Sequence, residues 1–589
     1  MTRKADLQIQ NEAYVMQVYS LFSFLFLVGY TSLVFAQGNI IIDEKFDDWD
    51  TSLPTYTDGL DTPNGIDLIE MQASNDAEYL YVKFTIDEDV ALGNMLVDHT
   101  IWLSIDADNN PSTGFAEQSG YGTELSINFN GHFGLYNVPN PDVQVTLGEM
   151  GLQMAPTVTS STFEVAIPRD LRLDGVNDLF STNTIRLVIH EDQGNDRMPN
   201  IGEIFFYTFD NTPVDPKTYM DLAKEDPSHL RAVAYNVLRD DAWEPAGLPS
   251  TERIIKALDG DIFCFQESNQ TPSQTAKGYL DAWLPLNNGN GWYAYKDGGG
   301  RLTCSKWPIT TTWDLNRKVA LLIDLPASYP KDLLIINGHL SCCNNNISRQ
   351  EQVDEFAAFV LDAKTAGGTI SLPDSTPIIF LGDMNLVGFS QQLETIITGN
   401  IQDEATYGQR GPLDWDGSDL MDVRPLHLDS QLVFTWRDLQ GDGFPPGRLD
   451  FHFYTDAVMD QMKAFILQTT RMPASLLAQY QLQSNDTEIS DHLPLVVDYA
   501  FKSTVPTSQD EKIDVDIQLY PNPSGGVLFI ETKKEIEHVL VRDMLGRKVM
   551  NAPTHNHRLD LAGLAAGIYV VEIKVKGRRA PFISNIQVE

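Results

Sequence analysis

Positive charge is scarce in this 589-residue chain: 41 Lys and Arg stand against 82 Asp and Glu, a formal charge of −41. A field of that sign repels DNA and anionic lipid at long range, which excludes binding through a broad basic surface. Any phosphate-bearing substrate must be captured by a local site, helped by a bound cation. Thiols are few as well. Neither the spacing of Cys264, Cys304, Cys342 and Cys343 nor a nearby His/Cys pair makes a zinc site. The 42% hydrophobic content excludes full disorder, and the composition is not collagen-like. At roughly 100 to 200 residues per domain, the length implies three or four units.

The deficit of basic residues is uneven. Gln37–Ser228 holds 8 basic against 34 acidic residues, His229–Phe501 holds 19 against 35, and Lys502–Glu589 is nearly balanced at 12 against 11. Ser20–Ala36 carries no charge, follows Arg3 and Lys4, and ends in Val34-Phe35-Ala36, so residues 1–36 read as a secretory signal peptide with Met16 as an alternative start. Once it is cleaved, no stable transmembrane segment is expected. In an exported chain disulfides become possible. Cys264 lies in the apolar run 261–267 and reads as a buried thiol, which leaves a bridge from Cys304 to Cys342 or Cys343 as the expected link.

Residues 37–212 alternate apolar and polar in short runs, among them Tyr79–Phe84, Thr100–Ile105, Thr162–Ile167 and Ile185–Ile189, separated by Asp, Asn, Gly and Pro. That period of two predicts a β-sandwich. Residues 213–229, with Pro213, Pro216 and Pro227, form a linker. From 230 to 501 strand-like runs alternate with amphipathic helices over Thr251–Leu258 and Gln350–Ala363, an α/β layer pattern. A polar linker spans 502–514, and 515–589 returns to short strands as a third, small β unit.

In the α/β segment apolar runs end repeatedly in hydrogen-bonding or acidic residues: Asn236, Gln266-Glu267, Gly338-His339, Gly382-Asp383-Met384-Asn385, Arg448-Leu449-Asp450 and Ser490-Asp491-His492. Strand ends converge at one rim of a sheet, where polar groups meet a ligand. Glu, Asp and Asn oxygens suit Mg²⁺, Mn²⁺ or Ca²⁺, and the set reads as metal-assisted phosphoester hydrolysis. In-line attack builds negative charge that a cation and an imidazolium stabilise. A neutral base and a charged acid coexist only if their surroundings split two similar pKa values.

These motifs in this order, over about Arg231 to Tyr499, resemble the endonuclease/exonuclease/phosphatase superfamily. The resemblance implies a four-layered α/β sandwich of two packed sheets. It also implies roles: Glu267, Asn236 and Asp491 at the metal, His492 as general base, Asp450 as the carboxylate orienting it, Asp383 and Asn385 positioning the nucleophile and phosphoryl oxygens, and His339 donating to phosphate or leaving oxygen. Leu238 replaces the Asp that some nuclease branches carry after the strand Asn, which weakens an abasic-site reading. His452 adds a third histidine near the set, and no carboxylate orienting His339 is evident. Arg349 is a possible phosphate contact, and Arg301, Lys306, Arg437 and Arg448 are further cations that could ring the pocket.

The flanking segments carry resemblances of their own. Ile40–Trp49, Ala77–Tyr81 and Ile105–Gly114 are similar to family 9 carbohydrate-binding and DOMON-like sandwiches, which implies glycan as a possible partner. Asp106, Asp108 and Asn110 present alternate oxygens suited to a structural Ca²⁺. Ile517–Pro523, Val541–Gly546, Leu559–Leu561 and Ala566–Tyr569 resemble the C-terminal sorting domain of the type IX secretion system, implying that machinery as a partner and a secreted or surface-attached protein.

The expectation is therefore a multidomain protein: a central α/β four-layer sandwich between an N-terminal β-sandwich and a small C-terminal Ig-like β domain. The function expected is a metal-dependent phosphoesterase, with Mg²⁺ (or Mn²⁺ or Ca²⁺) as cofactor. A nuclease or other phosphodiesterase acting on nucleic acid is preferred; a phosphatase or sphingomyelinase-like lipid phosphodiesterase is the alternative, and an inactive surface binding protein the alternative of another class.

Overall fold

The computed structural model describes residues 40–61, 65–93, 100–118, 120–137, 143–213, 217–287, 289–429, 431–439, 441–502, 517–532, 536–543, 548–552, 557–575 and 582–588. The expected signal peptide at 1–36 and most of the linker at 502–514 lie outside them. Two compact units result: Met1–Asp414 with Ser418–Ser503, and Trp415–Gly417 with Thr504–Glu589.

The first unit begins with two antiparallel sheets. One runs, in spatial order, Thr55–Thr57, Leu68–Asn75, Tyr79–Val90, Ser160–Pro168 and Gln153–Ala155. The other has Ile101–Asp106 between Thr184–Glu191 and Leu125–Asn128. Alternate residues such as Leu80, Val82 and Phe84, and Leu103 and Ile105, point into one core, as the period of two requires. Trp49 is buried, and its indole donates to Glu164.

Among the described residues the α/β part has thirteen strands. The first sheet contains Leu230–Asn236 (β1), Ile262–Gln266 (β2), Tyr293–Lys296 (β3) and Leu302–Ser305 (β4). The second contains Ile309–Leu315 (β5), Lys318–Ile323 (β6), Leu333–His339 (β7), Ile378–Asp383 (β8) and Met421–Val423 (β9). Leu426–His427 (β10) joins the first sheet, Asp450–Tyr454 (β11) the second, and Met459–Ile466 (β12) and Leu495–Phe501 (β13) the first again. The orders are β3-β4-β2-β1-β13-β12-β10 and β5-β6-β7-β8-β11-β9.

Strands β1, β2, β7 and β8 are buried along nearly their whole length, so they read as mainly apolar runs rather than alternations, with Arg231 of β1 buried on Asp498 of β13. Val233, Tyr235, Phe263 and Phe265 face the helices Leu248–Leu258 (α1) and Ser273–Trp283 (α2). Leu334, Ile336 and Phe380 face Asn346–Lys364 (α3). The intervening residues meet between the sheets, where Gln266 Nε2 donates to Asn337 Oδ1 at 2.8 Å. Helix, sheet, sheet and helix make four layers.

The sandwich is packed against this α/β part. Thr157 Oγ1 donates to Leu386 O at 2.7 Å, Thr159 N donates to Gly388 O at 2.8 Å, and Val158 between them is buried in the α3-side core. Arg448, expected as a pocket cation, instead lies buried between Asp422 and Glu44.

The second unit has a three-stranded sheet (Gln518–Tyr520, Val527–Glu531, Arg558–Asp560) and a four-stranded one (Lys548–Ala552, Ile536–Asp543, Gly567–Val575, Phe582–Val588). Leu528, Val541, Leu559 and Val571 fill its core.

The expected bridge from Cys304 is absent. Cys304 is buried on β4 opposite Phe263, whereas Cys342 and Cys343 are exposed on the loop after β7, and all four cysteines are unbridged. Cys264 is a buried thiol as expected.

Candidate active site

Parallel pairing puts Asn236 beside Gln266 at the ends of β1 and β2, and His339 beside Asp383 at the ends of β7 and β8. Antiparallel β11 begins at Asp450, level with Asp383. Ser490-Asp491-His492 leads into β13, the neighbour of β1. Two sheets thus deliver their polar ends to one rim.

The side chains interlock there. Asn236 Nδ2 donates to Glu267 Oε1 at 3.1 Å and to Asp383 Oδ2 at 3.0 Å. His492 Nδ1 donates to Asp450 Oδ2 at 2.7 Å and turns Nε2 toward Asp383 Oδ2 at 3.6 Å. From the other flank His339 Nε2 stands 3.5 Å from the same Asp383 oxygen and 3.8 Å from Glu267 Oε1. Asn385 donates its backbone N–H to Asp383 Oδ1 and its amide to Leu340 O. Asp491 accepts from Trp436 Nε1 on one oxygen, and its other oxygen is buried without a partner.

The backbone is bent to this purpose. Leu238, Arg239, Asp240, Glu267 and Asn385 all have positive φ, from 43° to 74°, and none is glycine. Such residues cost about 1–3 kcal/mol each and persist where surrounding contacts enforce them. Here Arg239 N donates to Glu267 Oε2, Leu238 N donates to Asn236 Oδ1, and the buried Asp240 binds Gln270 and Thr271. The Leu238–Arg239 turn thus fixes Glu267 through the backbone N–H of Arg239.

The two imidazoles are split in affinity for protons. Burial alone would lower His492, but Asp450 and Asp383 together raise it to about 10. Burial pushes His339 down to about 4, with Arg317 and His492 adding repulsion. Burial also raises Asp383 to about 7, helped by Asp450 and Glu267. The direction of the split is the reverse of a neutral His492 and a charged His339, because the Asp450 bond adds to Asp383 and outweighs burial at His492, whereas burial prevails at His339 despite Glu267 and Asp383 beside it.

Four expectations for site residues change. Arg349 is buried and spends its guanidinium on Ser341 O, Cys343 O, Asn346 Oδ1 and Gln392 Oε1, so it anchors the loop after β7 and cannot reach a phosphate. His452 faces away between the sheets, with Nδ1 on Tyr499 OH. Arg301 pairs with Asp297, Lys306 with Asp261 and Arg437 with Glu488, so none is a spare cation. In the sandwich, Asn110 Oδ1 caps Ser112 N, and the group that closes on Asp106 and Asp108 is Glu124.

Sequence reasoning missed Thr435-Trp436, whose Thr435 Oγ1 accepts Leu449 N and Asp450 N while Trp436 holds Asp491. It also missed the exposed Arg239 and Arg317, the latter accepting His339 N–H on its carbonyl. A basic residue three positions after Asn236 in so acidic a chain was the available signal for Arg239.

Glu267, His339 and Asp383 each place a ligand atom within 4.8 Å of the others, with no Lys or Arg side chain bonded among them. Converging carboxylates, an orphaned Asp491 oxygen and an oxygen-rich donor set fit a hard divalent cation.

Two segments of the chain match known protein families. Residues 233–492 match the Endonuclease/Exonuclease/phosphatase family, and residues 518–581 match the Secretion system C-terminal sorting domain. The α/β part is thus an endonuclease/exonuclease/phosphatase domain, and the chain ends in a sorting domain of exported proteins. Among solved structures, ANGEL2, a 2′,3′-cyclic phosphatase in complex with adenosine-2′,3′-vanadate, is 16% identical with TM-score 0.32, covering 49% of this chain and 99% of its own. TDP2 from D. rerio, complexed with a single-strand DNA product, is 13% identical with TM-score 0.30, covering 46% and 99%. Beta toxin from Staphylococcus aureus is 16% identical with TM-score 0.28, again covering 46% and 99%. No curated protein sequence matches the chain. Among the described residues no helix is long and apolar enough to cross a membrane.

Proposed function

We propose that this protein is an exported, divalent-metal-dependent phosphodiesterase acting on nucleic acid. The observation that carries the reading is the pair of imidazoles, His492 and His339, aimed from opposite flanks at one Asp383 oxygen at 3.6 and 3.5 Å. Such a pair can serve both ends of an in-line displacement, one removing a proton from water and the other supplying one to the leaving oxygen.

Glu267 and Asp383, with Asn236 and Asp491 nearby, would hold Mg²⁺ or Mn²⁺. When bound, that cation neutralises charge on the phosphoryl oxygens and offsets the carboxylates that keep His492 protonated. Asp450 fixes the His492 tautomer with Nδ1–H toward itself and Nε2 toward the reacting centre. His339, kept uncharged by burial, gains a proton as an anionic phosphate fills the space before it. Asn385, locked by its bonds to Asp383 and Leu340, is placed to steady a phosphoryl oxygen.

Support for nucleic acid comes from Arg239 and Arg317. They are exposed at the two flanks of the site, on backbone that touches Glu267 and His339, and suit successive phosphates. In the sandwich, Asp106, Asp108 and Glu124 would hold a structural Ca²⁺: Glu124 Oε1 is buried without a partner, and burial with the two Asp charges pushes that carboxyl up to about 7.

The test is turnover of plasmid DNA, RNA, sphingomyelin and a phosphate monoester, with Mg²⁺ and with chelator. Magnesium-dependent cleavage of nucleic acid is expected. Exclusive action on sphingomyelin or the monoester would overturn the substrate assignment, and inertness toward all four would leave a surface binding protein.

A further inference from the structure

The loop after His339 carries two neighbouring cysteines whose sulfurs face each other. Cys342 and Cys343 are both exposed, and their Sγ atoms stand 2.6 Å apart, closer than an ordinary thiol hydrogen bond. Cys343 has φ 62°, a left-handed conformation rare for a residue with a side chain. The loop is held at both ends: Arg349 Nη1 donates to Ser341 O and Cys343 O, each at 2.7 Å, and Asn345 Nδ2 donates to Cys342 O at 2.8 Å.

The same loop touches the site twice. Leu340 O accepts from the Asn385 amide at 3.1 Å, and Leu340 N donates to Asp383 O at 3.0 Å. The secretion sorting domain matched at 518–581 points to export from the reducing cytosol into oxidising surroundings, and there exposed paired thiols are oxidised. Cys264 and Cys304 are buried and offer neither sulfur as a competing partner.

We propose that Cys342 and Cys343 close into a vicinal disulfide on export, and that this ring is a positioning element that fixes the loop following His339 and gripping Asn385. The two thiols lose two protons and two electrons and gain one S–S bond. A disulfide-bearing oxidant takes up both and leaves as two thiols, by exchange through a mixed disulfide. Consecutive Cα atoms lie about 3.8 Å apart, below the usual span of a bridged pair, so the ring belongs with disulfides that reduce readily.

The test begins with full-length protein purified without reductant, then denatured, alkylated with iodoacetamide and digested. The expected result is alkylation of Cys264 and Cys304, with the Cys342–Cys343 peptide unalkylated and lighter by two hydrogens. Alkylation of both neighbours, or a bridge from either to Cys304, overturns the proposal. This readout is independent of catalysis, so it stands or falls apart from the phosphodiesterase reading.

The positioning role is tested on whichever substrate the enzyme turns over. Mild reduction should lower kcat about tenfold with KM unchanged, since misplacing groups by fractions of an ångström costs rate rather than binding. The Cys342→Ala/Cys343→Ala double variant should show the same lowered kcat and no further response to reductant. A kcat indifferent to both treatments overturns the positioning role while leaving the mass readout intact.

Discussion

His492 and Asp450 meet across the seam between the two sheets: Asp450 opens β11 of the second, His492 lies before β13 of the first, and Nδ1 and Oδ2 close to 2.7 Å. Asp450 is wholly buried and its backbone N–H is held by Thr435, so the carboxylate has no freedom to follow a displaced ring. His492→Ala should lower turnover by about 10²–10⁴-fold, the range for a general base, with the folded state kept. Asp450→Asn keeps the volume but removes the charge that orients the ring, and a smaller loss within that range is expected. Steady-state rates on a phosphodiester, beside circular dichroism spectra, check both.

Removal of divalent metal should abolish turnover, because Glu267 and Asp383 otherwise repel an approaching phosphate. Glu267→Gln keeps the shape and the Asn236 contact but removes one charge from the cluster. It should raise the Mg²⁺ concentration for half-maximal rate by about tenfold or more. A Mg²⁺ titration of both proteins measures the shift; an unchanged midpoint would remove Glu267 from the metal site.

Much of this site was legible in the sequence because a buried strand has a simple signature. β2 and β8 are apolar until their last residues, and β1 carries only Arg231 before Asn236, so the polar residues that close these runs mark the rim; Gln266 and Asn337 are exceptions that turn inward and meet between the sheets. What could not be read was where long or cross-strand side chains end up. Arg349 lies in the first turn of a helix and looks solvent-bound, yet Ser341 O and Cys343 O of the preceding loop, Asn346 Oδ1 beside it and Gln392 Oε1 from a later helix together bury it. Asn110 fits a ligand by spacing along its loop, but Glu124 arrives from the strand beyond it, a distance in sequence that no local pattern encodes. Cys304 and Cys342 are both plausible partners until the sheets are built and place them apart. His452 follows Asp450 by two residues and shares its face of the strand, but its ring turns to Tyr499 between the sheets.

The sandwich and the α/β part should unfold together, because Val158 of the former fills the core of the latter. Val158→Ala leaves a void on the far side of the Leu386–Gly388 segment, and a loss of about 1–3 kcal/mol is expected. Urea unfolding followed by tryptophan fluorescence should show one transition for this unit moving as a whole. Two transitions with only one displaced would show that the contact does not couple them.

Arg448 tests the same interface through charge. Its guanidinium is almost wholly buried and bonds Asp422 Oδ1 and Oδ2 and Glu44 Oε2, at 3.0, 2.8 and 2.9 Å. Arg448→Met leaves Glu44 and Asp422 with only Arg424 beside them, 3.1 Å from Asp422 Oδ2, and should cost about 1–3 kcal/mol, short of the roughly 3–5 for a wholly unpaired buried charge. Adding Glu44→Gln and Asp422→Asn removes the stranded charge and should recover part of that loss, which a comparison of urea midpoints would reveal.

The last prediction concerns acid stability. His452 is fully buried, and burial holds its pKa down to about 3 against an ordinary value near 6.5. Between those values the unfolded chain takes up a proton that the folded protein refuses, so stability rises with pH across the window. The contribution is whole above about 6.5 and erodes as pH falls toward 3, at no more than about 1.4 kcal/mol per pH unit. By pH 4.5 the loss from this residue reaches about 2–3 kcal/mol. His427, also buried and pushed down to about 4 while bonded to Phe434 O, adds a second share. His452→Phe cannot take up the proton in either state. It should cost stability at pH 7 by stranding the Tyr499 hydroxyl, yet lose about 2–3 kcal/mol less than the parent between pH 7 and pH 4.5. Urea midpoints at the two pH values measure that difference directly, and parallel losses would mean that His452 is not held neutral in the fold.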